Sequence, residues 1–394
     1  MKHLFGLVFL ISGIVLTACH QHSEPQQQEE NDSLSYIEKY YRDCKNLQEA
    51  IALSVHARVE TKPIVSPQPD VADDPAIWIH PEDRSKSTII GTNKENGLHV
   101  YNLQGTELYH YPIGATNNVD VRYGFPLNGN RIDLAGCTNT SINGLSLMKI
   151  DPKNGALSPI QAEEMRLDTS IMDHVYGFCL YKSPKTGKYF AFMNAKNGKI
   201  RQYEILPTAD SLLTTTLVRE FDVPTKPEGM VADDEKGLLY VCEEDRGVWL
   251  FNAEPDASDM GSLIFSLKEH HTATKDLEGI SIYYAAKGKG YILISSQGNF
   301  SYIVLDRSNH EYLFSFKVGE GELDGIEDTD GLDVINLPMG GQFPHGLFVA
   351  QDGFNTDNGK NLQQNFKLVG WEAIAKLSDP PLIIDTSYTI RKQK

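Results

Sequence analysis

The residues best suited to chemistry in this 394-residue chain are its carboxylates, which come in tight groups. They are Asp73-Asp74, Glu228, Glu243-Glu244-Asp245, Asp276 with Glu278, and Asp324, Asp328, Asp330 and Asp333. Taken singly, such acids are solvated surface. Brought into one cavity they repel one another and resist ionisation unless cations neutralise them. No His or Cys stands within these groups, and an all-oxygen donor set selects a hard cation such as calcium over zinc. An EF-hand does not supply the site. The stretch Asp328-Thr329-Asp330-Gly331 begins like one, but Met339 stands where the closing Glu is needed. The Asp324-Gly325 and Asp330-Gly331 pairs also fit simple turns.

Something must bring these scattered groups together, and a sixfold repeat does so. An apolar strand running into a polar cluster and turn, followed by a second strand, recurs at residues 88–94 with 97–101, 132–139 with 144–147, and 189–194 with 199–203. It returns at 238–245 with 247–251, 290–297 with 301–305, and 346–352 with 365–369. Equivalent positions Thr92, Cys137, Met193, Cys242, Ser295 and Ala350 are 45, 56, 49, 53 and 55 residues apart. Hairpins at a period near 50, with no long helical pattern, mark the four-stranded blades of a propeller. The expected fold is all-β: a six-bladed β-propeller whose ring closure removes exposed sheet edges. A β-sandwich would not repeat the same strand–polar–hairpin order six times. Taken as the first strand of each unit, the leading strand ends in Asn93-Lys94, Asn139, Asn194 and Lys196, Glu243-Glu244-Asp245, Gln297 and Asn299, or Gln351-Asp352. Equivalent strand ends share one face of a propeller, so these groups should converge on one mouth of the central channel.

The rest of the chain frames this domain. Lys2 and His3 precede an apolar run, residues 4–15, and then Leu16-Thr17-Ala18-Cys19. This is a secretory signal, too short for a membrane span of roughly 20 apolar residues. Its last four residues resemble the bacterial lipobox, which implies a lipid anchor on Cys19 and a place in the cell envelope. Residues 20–32, rich in Gln, Glu and Ser, are expected to form a flexible tether. Residues 33–60 are expected to form a short helical or extended arm, and 61–394 the propeller. Cys44, Cys137, Cys179 and Cys242 make no metal or disulfide pattern. A net charge of −17 without a basic stripe excludes nucleic acid as the partner. A monomer is expected.

Several runs then narrow the reading. Asp73-Asp74-Pro75-Ala76-Ile77-Trp78, Asn117-Asn118-Val119-Asp120-Val121-Arg122-Tyr123, Val175-Tyr176-Gly177-Phe178 and Glu228-Gly229-Met230 resemble the β-propeller phytase family. So, in order, do Asp276-Leu277-Glu278-Gly279, Ser295-Ser296-Gln297-Gly298-Asn299, Asp328-Thr329-Asp330-Gly331, Gln351-Asp352-Gly353 and Gln364-Asn365-Phe366-Lys367. The resemblance implies a calcium-dependent phosphomonoesterase acting on phytate or other inositol phosphates. Its metal ligands would be Asp73, Tyr176, Glu228, Glu244, Asp276, Glu278, Asp324 and Asp330. Among these, Glu228, Glu244, Asp324 and Tyr176 would be catalytic, with a calcium-bound water attacking phosphorus directly. Lys94 and Lys196 match lysines that contact substrate phosphates, and Arg122 is a further candidate for that role. Three positions depart from the family pattern: Glu95 replaces a second lysine, Thr140 an arginine, and Asn197 an acid. These departures bear on substrate grip rather than on the metal set. A non-catalytic propeller that keeps calcium and captures phosphorylated ligands is the alternative. A lactonase-type propeller would account for calcium but not for these runs.

Overall fold

The computed structural model describes residues 24–389 and 391, with side chains from Tyr36 onward. Cys19 and the signal segment lie outside the described residues. Six antiparallel sheets follow one another along the chain as the blades of a propeller. Blade 1 comprises Ala72–Trp78, Thr88–Asn93, Gly97–Asn102 and Glu107–Tyr111, and blades 2 to 5 repeat that meander. Blade 6 comprises Leu332–Ile335, Leu347–Asp352 and Asn365–Gly370, and takes its outermost strand, Val59–Glu60, from before blade 1. The two ends of the domain thus share one sheet, which closes the ring. Leu53–His56 adds a fifth, parallel strand to blade 5. The segment expected to be a separate arm therefore belongs in part to the propeller, and the compact unit that contains the propeller begins at Cys44.

The repeat is the second and third strand of every blade. The strand taken as the first of each unit is therefore the second. A further strand precedes it, and these six strands pack against one another around the channel. Buried apolar side chains fill six clusters, each between neighbouring blades. Cys137, Cys179 and Cys242 lie fully buried within these layers, and none of the described cysteines forms a disulfide.

A helix spans Glu24–Glu49, so residues 24–32 are helical where a tether was expected. Poor hydrophobicity argues against burial, not against helix, and Gln and Glu are good helix formers. The helix's last turns are fastened to the propeller: Gln48 Nε2 donates to Phe300 O at 2.9 Å, and Lys45 pairs with Glu327.

Candidate active site

Each innermost strand is interrupted at one end of the channel. In blades 1 to 5 the pairing with the second strand shifts by one residue, a β-bulge, at the same place. The bulged pairs are Asp73-Asp74, Asn117-Asn118, Tyr176-Gly177, Glu228-Gly229 and Glu278-Gly279. In blade 6, Asp330-Gly331 stands just before the strand Leu332–Ile335. A bulge re-aims its side chain, so five bulges and one strand entry form a ring of Asp73, Asn117, Tyr176, Glu228, Glu278 and Asp330.

Glycine sets how tight this ring is. A Cβ on Gly177 would lie 1.9 Å from Glu228 O, one on Gly229 2.2 Å from Glu278 O, and one on Gly331 2.1 Å from Asp74 Oδ1. Any side chain at these places would hold neighbouring blades apart. With glycine there, Gly279 N reaches Asp330 O at 3.2 Å and Gly331 N reaches Asp73 O at 3.0 Å.

The consequence is a crowd of carboxylates. Glu228, Glu244 and Glu278 each present a ligand oxygen within 4.8 Å of the other two. Burial pushes the Glu228 carboxyl up to about 7, although Lys226, 3.7 Å away, pulls it down. Burial raises Glu278 further, with Glu228 and Asp330 adding repulsion. Asp73 is raised by burial against the pull of Lys94. Lys94 Nζ sits 3.1 Å from Asp73, 2.8 Å from Asp330 and 2.9 Å from Asp70. Burial would lower the Lys94 pKa, yet these three acids raise it. The Tyr176 ring lies under two ammonium groups, Lys196 at 4.4 Å and Lys226 at 4.5 Å from its centroid. Three lysines, Lys94, Lys196 and Lys226, stand against six close acids, Asp70, Asp73, Glu228, Glu244, Glu278 and Asp330, so the side chains at the mouth carry an excess of acid. Three converging carboxylates without imidazole or thiolate suit a hard cation, and such a charge would favour ionisation of carboxyls that burial raises.

Other expected residues lie around this centre. Asp276 adopts a left-handed backbone with φ 63°, and its N–H donates to Glu244 O at 3.0 Å, so it adjoins the trio through the backbone. Such a conformation costs a non-glycine residue of order 1 kcal/mol and is typical of functional loops. Asp324 stands with another group: Lys367 and Thr356 bond to it, and Lys367 also reaches Asp352 at 2.6 Å. The structure places Arg122 on an inner strand, where its guanidinium engages Asp120 at 2.8 Å and Asp234 at 3.1 Å and so does not join Lys94 and Lys196 as a phosphate contact. Glu95 and Asn197 are exposed, and Thr140 is half-buried and bonds to Ala115 O.

Sequence reasoning missed Lys226, Asp70 and Asn117. Lys226 stands two residues before Glu228, the same-face spacing of a strand, and that was the available signal. Gln297 and Gln351, flagged only as polar strand ends, support Asp330: Gln351 Oε1 accepts the Asp330 N–H at 2.7 Å and Gln297 donates to its carboxylate.

Comparison with known proteins agrees with this geometry. The family model described as Phytase matches residues 35–394. A curated 3-phytase of Bacillus subtilis (strain 168) is 46% identical over 326 residues, covering 82% of this chain and 85% of the relative. Among solved structures, a functionally unknown protein from Desulfotomaculum acetoxidans DSM 771 aligns at TM-score 0.41 and 17% identity, over 62% of this chain and 71% of its own. A nidogen/laminin complex chain aligns at TM-score 0.39 and 10% identity, over 62% of this chain and 79% of its own. Likeness that slight carries no argument.

Proposed function

The chain belongs to the phytase family, and on that premise we propose that it hydrolyses phytate to lower inositol phosphates and orthophosphate, with calcium ions held at the channel mouth. The observation that carries this reading is the trio Glu228, Glu244 and Glu278 within 4.8 Å, beside Tyr176 and Lys94, in a chain 46% identical to a 3-phytase. Asp73, Asp330, Asp276 and Asp324 complete the proposed ligand set. Calcium bound there supplies the positive charge that lets an attacking water lose its proton near neutral pH and that stabilises the phosphoryl oxygens.

The chain's own residues do the rest. Bulges fix the direction of the carboxylates, and the glycine contacts fix their spacing. Lys94 and Lys196, at the rim, offer ammonium groups to peripheral phosphates. Lys226 favours ionisation of Glu228 and Glu244 against the burial that raises both, and it orients them. Arg122, engaged with Asp120 and Asp234, is left out of the substrate set. Removing one stabilising carboxylate, as in Glu244→Gln, should lower kcat about 100-fold, the usual cost of losing one such group. Lys94→Ala should chiefly raise KM. Unchanged phosphate release by both variants would overturn the assignment.

The same reading includes export and anchoring through Cys19, supported by the Leu16-Thr17-Ala18-Cys19 motif. Cys19→Ala should move the protein from the membrane to the soluble fraction. Equal partitioning of both forms would refute it.

A further inference from the structure

The turn that carries Lys94 is held from behind by two histidines that the catalytic reading does not use. Asn93 Oδ1 accepts the N–H groups of Glu95 at 2.8 Å and Asn96 at 3.0 Å, which shapes the turn. That leaves the Asn93 amide NH2 facing His99 Nε2 at 3.1 Å. His99 Nδ1 lies 3.2 Å from Glu107 Oε1, and Lys62 holds the other oxygen of Glu107 at 2.8 Å. His99 is buried, and it stacks on His110, its partner on the neighbouring strand, with ring centroids 4.2 Å apart. His110 Nε2 in turn reaches Asn96 O at 2.8 Å. Both ends of the turn thus rest on the stacked pair.

These contacts assign the protons. Because Asn93 presents hydrogens, His99 Nε2 must be bare, and its proton sits on Nδ1 and goes to Glu107. His110 faces a carbonyl, so its Nε2 carries a proton. A proton added to His99 Nε2 would meet the NH2 of Asn93, donor against donor. It would also place positive charge against His110 and near Lys62, with Glu107 the one acid facing it; the remaining neighbour, the Tyr101 ring, is neutral. Burial and the nearby His110 already lower the His99 pKa. If the Asn93 amide flipped to accept the new proton, it would release Glu95 and Asn96.

We propose that His99, with Asn93 and His110, is a positioning clamp for the Lys94 turn, and that protonating His99 loosens the turn and weakens the hold on substrate phosphate. The inference rests on the reading of Lys94 as a phosphate contact.

Two variants and two readouts test it. His99→Gln keeps an acceptor that does not titrate, whereas His99→Leu removes the acceptor. With calcium saturating and phytate varied, His99→Leu should raise KM about fivefold at pH 8, the worth of one hydrogen bond, and leave kcat unchanged. His99→Gln should keep the wild-type KM at pH 8 and show a smaller rise than wild type on going to about pH 5. Amide exchange of Glu95 and Asn96 provides the readout that needs no activity. Their protection factors should fall about fivefold or more as wild-type His99 titrates, and should not fall in His99→Gln. Protection that ignores His99 titration would overturn the clamp, as would His99 variants with wild-type KM at every pH while Lys94→Ala raises it. Responsive protection together with an inert Lys94→Ala would instead overturn the reading of Lys94.

Discussion

The channel holds two acidic regions, and they are neutralised in different ways. Below the mouth, Asp120 is bound by Arg122 and by the Leu180 N–H at 2.8 Å, and Asp234 by Arg122 and by the Lys182 N–H at 3.0 Å. Asp333 accepts from the Ile77 N–H at 2.8 Å and the Ser281 hydroxyl at 2.6 Å. The bonds from Leu180, Lys182, Ile77 and Ser281 run between neighbouring blades, and Arg122 reaches from the inner strand of blade 2 to Asp234 of blade 4, so the interior acids staple the ring together. At the mouth the bulges and the entry to the last inner strand bring Asp73, Glu228, Glu278 and Asp330 together, with Lys94 against Asp73 and Asp330 and Lys226 against Glu228. Burial raises carboxyls in both regions, but the interior acids are each tied to donors of other strands, whereas the mouth acids crowd around Lys94 and Lys226. Carboxylates thus act as structural ties in one region and, on the proposed function, as cation ligands in the other.

Substitution should expose that difference in opposite signs. Arg122→Met would leave Asp120 and Asp234 without their cation, and should cost about 3–5 kcal/mol of stability with or without calcium. Glu228→Gln should do the reverse in calcium-stripped protein at pH 8. It removes a repelled charge, and should raise stability by on the order of 1–3 kcal/mol while lowering kcat. Denaturant unfolding of both variants checks this pair. If Glu228→Gln destabilised the stripped protein as Arg122→Met does, the two regions would be alike.

The pH dependence of the stripped protein follows from the same carboxyl. Burial holds Glu228 at about 7 when folded, above its ordinary 4.5. Between those values the folded state keeps a proton that the unfolded chain has released. That stability is complete below pH 4.5 and lost as pH rises through 7, at most on the order of 3 kcal/mol. The loss should be smaller in Glu228→Gln and smaller again with calcium, as read from Tm against pH. The smallest effect expected is at the rim. Glu95→Lys with Thr140→Arg should lower KM for phytate, each added charge contributing about 1 kcal/mol, and the gain should shrink with salt.

How much of this was legible in the sequence follows from the same physics. The second and third strands alternate cleanly around polar turns, so Thr88–Asn93 and its five equivalents stand out and give six blades. The innermost strands are broken by bulges at Asp73-Asp74 and Glu228-Gly229 and do not alternate. They were legible only as the runs that resemble the phytase family. The carboxylates were identified by type and expected to converge on one mouth, but not how closely they stand, which depends on glycines such as Gly229 standing against the next blade. The partners of Arg122 were out of reach, since Asp234 is far away in the chain and only ring closure brings it near. Helix at residues 24–32 was missed because composition was read for burial alone.

The most direct test of the contrast is the initial rate of phosphate release from phytate, measured together with Tm, in protein stripped by a chelator and then restored with calcium. The expected result is activity lost on stripping and recovered on restoring, with Tm rising as calcium is added because ligand binds the native state. Full activity in excess chelator, with an unmoved Tm, would contradict the account of the mouth as a cation site.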